Sequence, residues 1–360
     1  MPEKRGYIRY FQKVWSKNKA MGLAAQTHLE KEIKSGSLKK HSDKLFQGCW
    51  LLSPKWEDWH KFRLCFFTHD KVLKNLPSHL EPKEFLGENT RPFYAIAEYM
   101  SNAGMGVVYA VPTAVSGSVD FQAISNKDYS SLNWHLFLYE KEGLYRKNES
   151  ELFKTWGDRG RPTYRKDSWN DKDLENTFSE MKIEQLDGLL LNELFYTGYL
   201  KSILKKAAND PYDVDSFIVS LSQKHILPIE LKEKFPVLTR RDRYFGIDAG
   251  RIMMLLRICI PNDSNALYII RQVSENGRKM EGWKFIPLSK IIMSASWNLQ
   301  AGGRGMGGSD TQTIRLPYDE FEDLTEETLS EENLKKLSNL PKDVREIVQN
   351  YKSEFTKRFS

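Results

Sequence analysis

Apolar residues recur at helical spacing over residues 7–34, where Tyr10, Val14, Leu23, Ala24 and Leu29 leave a broken stripe among lysines and glutamines. Ser35-Gly36-Ser37 ends that pattern. Two short apolar runs, 45–52 (LFQGCWLL) and 62–68 (FRLCFFT), predict strands, with a turn around Pro54 between them. A helix is expected over 92–102 and is stopped by Gly104 and Gly106. Strands follow at 106–112 and 133–140, the latter with Trp134, Leu136 and Leu138 on one face. One or two helices are expected over 173–208, closed by Asn209-Asp210-Pro211, and a short helix over 213–224.

Residues 228–236, spaced by Pro228 and Pro236, read as a linker, and the pattern changes after them. The apolar runs 251–260 (RIMMLLRICI) and 266–274 (ALYIIRQVS) flank Pro261-Asn262-Asp263-Ser264-Asn265 and predict a β-hairpin. A third strand, or a strand and bend, is expected over 283–293, and helix over 319–359. The fold class this implies is α+β, in two domains. The first is a mixed α/β domain over 1–235. The second, 236–360, is β-rich, with a glycine-rich loop and an acidic helical tail.

Composition adds limits. No apolar run reaches the roughly 18–20 residues that a membrane helix needs. The opening MPEKRGYIRYFQKVW is charged and lacks an apolar core, so no secretory signal and no membrane partner are expected. Cys49, Cys65 and Cys259 have no metal-like spacing and read as reduced cysteines of a cytoplasmic protein.

Charge is unevenly placed. Residues 1–83 hold 17 Lys/Arg against 8 Asp/Glu, and residues 240–315 hold 12 against 6, nine of the 12 being Arg. Residues 319–332 hold eight acids and no base. An arginine-rich region points to an anionic partner, because the guanidinium forks onto phosphate better than an ammonium does. Solvated lysines on ordinary helices would account for the first excess equally well.

Several groupings could carry chemistry. Arg159, Arg161, Arg165 and Lys166 lie among Trp156, Tyr164 and Trp169, and Arg240, Arg241 and Arg243 adjoin Tyr244. Basic groups interleaved with aromatics neutralise phosphates while bases stack, although protein–protein surfaces use the same residues. Arg304 sits in Gly302-Gly303-Arg304-Gly305-Met306-Gly307-Gly308, which has neither a P-loop nor a dinucleotide pattern. Its backbone can approach a ligand closely, or it is a plain surface connection.

Metal-dependent nucleases use an acid followed, some residues on, by acid-x-Lys across adjacent strands. The carboxylates hold Mg²⁺ and the lysine positions or activates water. Asp70 followed by Glu81-Pro82-Lys83 has that spacing, making Asp70, Glu81 and Lys83 the catalytic candidates and Asp70 and Glu81 the metal ligands. Asp173 followed by Glu180-Met181-Lys182 also fits, but on a helical pattern. Five histidines (His28, His41, His60, His69 and His79) fall within 28–79, and His69-Asp70 is a further acid–base or metal candidate.

The leading expectation is a nucleic-acid-binding protein with DNA rather than RNA as partner, a recognition component of a prokaryotic restriction or CRISPR-type defence system. The alternatives are a Mg²⁺-dependent DNA endonuclease, and a non-catalytic subunit that binds another protein or its own copy through acidic 319–332.

Overall fold

A computed structural model describes residues 2–41, 43–54, 63–73, 76, 86–115, 131–141, 143–156, 169–203, 212–222, 224–239, 242–276, 278–300 and 313–347. The class is α+β, with helices around a mixed sheet. Contacts divide the chain into two units: Met1–Ala24 with Gly48–Asp213, and Ala25–Gln47 with Val214–Ser360. Each unit is discontinuous in sequence, and the divisions fall elsewhere than the boundary expected at 235/236.

In unit 1, strands β1 (Leu45–Leu52), β2 (Leu64–Thr68), β3 (Gly106–Ala114), β4 (Leu132–Glu140) and β5 (Gly143–Lys147) lie in that order. The β2·β3 pair is parallel and the other three are antiparallel. Helix α1 (Pro2–Val14) and the start of α2 (Lys17–Ser35) share a core with helices α4 (Lys172–Glu180) and α5 (Ile183–Glu193). Helix α3 (Thr90–Asn102) precedes β3. Aromatic rings fill this core: Phe11 stacks on Trp15 at 3.9 Å, and Trp50 on Tyr196 at 4.8 Å. Trp156 and Trp169 are buried in it, so neither is a surface for stacking bases. A π-helix, Leu194–Ile203, continues α5.

In unit 2, β6 (Tyr212–Ser220) and β7 (His225–Lys234) are antiparallel. Strand β10 (Leu267–Val273) runs parallel to β7, and β11 (Met280–Pro287) returns antiparallel with β14 (Glu322–Asp323) beyond it. A smaller sheet orders β12 (Ser296–Gln300), β13 (Thr313–Pro317), β9 (Arg243–Asp248) and β8 (Val237–Leu238). Helix α6 is Ala249–Cys259, α7 is Leu288–Ser294 and α8 is Glu331–Ser338. One face of the larger sheet buries Ile229, Leu231, Leu267 and Ile269 against Ala25, Leu29 and Ile33 of α2. Each such side chain contributes roughly 1.5–3 kcal/mol through removal from water.

Several local readings differ from the sequence expectation. Residues 288–293, expected as strand or bend, belong to helix α7, and the expected helix over 319–359 opens instead with β14 between short 3-10 turns, α8 starting only at Glu331. Residues 251–260 are helix, not a hairpin strand. An apolar run of that length fits either element by pattern, and here Asp248 decides it by capping the Gly250 N–H at 2.7 Å. Residues 213–220, expected as part of a short helix over 213–224, belong to strand β6. Residues 228–234 are strand rather than linker. Pro228 is tolerated because the ladder to β10 begins only at Ile229, so Pro228 has one paired neighbour, Phe217 of β6.

Candidate metal centre

The sequence candidates separate on the structure. Asp70 is exposed, with Nδ1 of His69 4.0 Å from its carboxylate. His69 is buried, 3.1 Å from the Tyr109 hydroxyl, and burial lowers its pKa more than Asp70 raises it. Glu81, Lys83, Arg159, Arg161, Arg165, Lys166, Arg240, Arg241 and Arg304 lie outside the described residues, as do His60 and His79. Arg243 stands over the Tyr318 ring at 3.8 Å. Asp173 and Glu180 occupy opposite ends of α4, so the acid-x-Lys reading there has no pair of strands to sit on. Among the described residues, no group of three or more His, Cys, Asp and Glu converges.

Several described arginines of 240–315 have partners within the fold. Arg315 lies over Tyr244, while Arg271 and Arg278 both pair with Glu233. The acidic stretch likewise pairs within its own unit: Asp323 with Lys284 at 2.8 Å and Glu331 with Lys44 at 2.6 Å.

The acid…acid-x-Lys pattern does occur on adjacent strands, at a place the sequence reading passed over. Asp215 lies on β6, and Glu230-Leu231-Lys232 lies on β7. The β6·β7 ladder stops at Ser216↔Ile229, so Asp215 and Glu230 are the next facing pair. Beyond that point the Leu231 N–H is taken by Asp215 Oδ2 at 2.6 Å. Gln26 of α2 donates from Nε2 to the other oxygen, Oδ1, at 2.7 Å. Both Asp215 oxygens are thus fixed.

Glu230 is fully buried. Lys232 Nζ lies 2.7 Å from Glu230 Oε1 and 3.8 Å from Asp215 Oδ2, bridging the two carboxylates. Oε1 itself accepts no hydrogen bond of good geometry, so its contact with Lys232 is ionic rather than directional. Arg251, in the first turn of α6, reaches Glu230 Oε2 at 3.5 Å. Lys234 follows at strand spacing on the same face. Burial first, and then Lys232, lower its pKa to about 8. Beneath the carboxylates, Tyr268 of β10 stands in register with Glu230 and donates its hydroxyl to the Gly246 carbonyl at 3.0 Å. Burial, reinforced by the Glu230 and Asp215 charges, keeps that phenol protonated.

Two carboxylates from neighbouring strands, one of them with a buried oxygen lacking a directed partner, fit a hard divalent cation. Mg²⁺ is held by one or two carboxylates and takes water and substrate phosphate for the rest of its shell. Lys232 beside them is placed to orient a water.

A second charged group lies on the opposite face of β7. Glu233 is buried and is bound by Arg271 Nη1 at 2.6 Å and by Arg278 Nε at 2.6 Å. His28 of α2 is held neutral nearby, its pKa lowered to about 4 by burial and then by Arg271. This group ties β7, β10 and the β10–β11 turn together at the end of the strand that carries Glu230 and Lys232.

In unit 1, Glu193 is buried against Lys19, which also stands 4.7 Å over the Trp50 ring. Asp187 accepts from Tyr7, and Glu149 from Tyr199. These are single carboxylates, each with its own partner, and they fasten helices rather than converge.

The chain matches no protein-family model, no curated protein and no solved structure.

Proposed function

We propose that this protein is a Mg²⁺-dependent DNA endonuclease, the cleaving form of a restriction-type defence component. The observation that carries this reading is Asp215 facing Glu230 across two neighbouring strands, with Lys232 2.7 Å from Glu230 and 3.8 Å from Asp215. When bound there, Mg²⁺ supplies charge neutralisation for a phosphodiester and lowers the pKa of water.

The chain's own residues do the rest. Asp215 and Glu230 would hold the cation, and Gln26 and the Leu231 N–H fix Asp215. Lys232 orients the attacking water through its ammonium. Hydrolysis adds one water across one P–O bond: the water oxygen bonds to phosphorus and the bond from phosphorus to a sugar oxygen breaks. That oxygen takes up a proton, and the proton lost by the water passes to solvent. Unit 1 carries none of Gln26, Asp215, Glu230 and Lys232, which leaves it available for selecting the substrate.

The test is incubation of the full chain with duplex DNA, single-stranded DNA and RNA, in Mg²⁺ and in EDTA. Cleavage of duplex DNA is expected in Mg²⁺ alone. Glu230→Gln should remove it, with a loss of at least about 10³-fold if the metal contributes several kcal/mol to the transition state. Retention of DNA binding by that variant is expected. Full cleavage by Glu230→Gln, or cleavage in EDTA, would contradict the assignment.

A further inference from the structure

Arg251 is a cation on a carboxylate that the proposed reaction assigns to a metal. The contact is the looser of the two that Glu230 makes: 3.5 Å to Arg251 against 2.7 Å to Lys232. Glu230 is fully buried, while the Arg251 side chain keeps 22% of its surface exposed. The Arg251 side chain thus keeps some access to solvent, and the carboxylate does not.

A guanidinium cannot lose its proton in a protein. A divalent cation binding at about 2.0–2.1 Å from the same carboxylate meets a fixed positive charge a few ångström away. Burial strengthens that repulsion, and of the two cations on Glu230 it falls on Arg251, which is held at 3.5 Å against 2.7 Å for Lys232. Arg251 belongs to the first turn of α6, whose backbone is tied down by the Asp248 cap, so the side chain moves and its anchor stays. The remaining positions of a Mg²⁺ shell are filled by water and by a phosphate oxygen. A displaced guanidinium rooted beside that shell has a bidentate acceptor in the same phosphate.

We propose that Arg251 is a metal-released phosphate clamp: it balances the charge of Glu230 until a divalent cation binds, and then transfers to the nucleic-acid backbone. This inference rests on the nuclease reading and adds an order to it, with metal first and a firm phosphate grip second. It makes metal and DNA binding mutually reinforcing, because each favours the conformation in which Arg251 has left Glu230.

Calorimetric titration of the DNA-free full chain with Mn²⁺ tests it, together with DNA binding measured in Ca²⁺ and in EDTA. The wild type should bind Mn²⁺, and Asp215→Asn should abolish that binding. Arg251→Ala and Arg251→Gln should each bind Mn²⁺ several-fold more tightly than the wild type, since the competing cation is gone. Both should bind a short DNA duplex about tenfold more weakly in Ca²⁺, as loss of a charge-assisted contact implies. In EDTA their DNA affinity should equal that of the wild type. Unchanged or weaker Mn²⁺ binding by both Arg251 variants, with wild-type binding intact, overturns the clamp and leaves the nuclease reading standing. So does an equal loss of DNA affinity with and without metal, which marks a fixed contact. Absence of any Asp215-dependent Mn²⁺ binding overturns both. Circular dichroism of both variants establishes that each is folded.

Discussion

Replacing Lys232 by Met is expected to remove cleavage while leaving metal binding intact or tighter. The two effects have opposite signs because Lys232 has two roles. Without metal, its ammonium is the nearest positive charge to both Glu230 and Asp215. Removing that charge leaves two buried like charges facing each other, which raises their attraction for any divalent cation. In the reaction, however, the ammonium orients water, and positioning of this kind contributes roughly 10²–10⁴-fold. Methionine keeps most of the alkyl stem, so packing changes little. Single-turnover cleavage and Mn²⁺ calorimetry on the same sample separate the two roles. A parallel loss of both would make Lys232 a structural prop, and full cleavage would remove it from the chemistry.

The second large effect is on stability. Glu233→Ala should destabilise unit 2 by about 3–5 kcal/mol, because it strands two arginine charges that the fold holds largely out of water. A buried ion pair has uncertain net worth, but removing one partner alone is costly. Substituting Glu233 and Arg271 together, by Met and Leu, should recover part of that loss. Urea unfolding of the three proteins checks this. A single-variant change below about 1 kcal/mol would mean that solvent reaches the arginines and that the group does not pin β7.

Much of the fold was legible from hydrophobic spacing. The strand LFQGCWLL runs from Leu45 to Leu52 as expected, and the helix expected over 92–102 and the strand over 106–112 appear with small extensions. The site was hidden for a local reason. Pro228 made the stretch around Glu230 resemble a linker, and the apolar residues of FIVS before it resembled a short helix. With neither strand recognised, the spacing from Asp215 to Glu230-Leu231-Lys232 carried no more weight than the matches at Asp70 and Asp173. The signal was there in the alternation of 225–234, where Leu227, Ile229 and Leu231 turn to the core while Glu230 and Lys232 share the other face. What pattern alone could not supply is the third dimension: Gln26 of α2 comes from almost two hundred residues away to hold Asp215.

Arginine content answers to two demands. Arg271 and Arg278 neutralise Glu233, and Arg243 and Arg315 lie on tyrosine rings, while Arg240, Arg241 and Arg304, read as phosphate contacts, lie outside the described residues. A buried acid demands a cation as firmly as a phosphate does, and sequence alone does not separate the two demands.

The location of the metal is the central claim, and affinity cleavage with iron tests it most directly. Fe²⁺ takes the place of Mg²⁺ at oxygen ligands, and with ascorbate and peroxide it cuts the polypeptide next to where it is bound. The account predicts fragments ending near Asp215 and near Glu230. They should be suppressed by excess Mg²⁺ and absent from the Asp215→Asn and Glu230→Gln variants. Fragments ending near Asp70, or random scission that Mg²⁺ does not suppress, would contradict it.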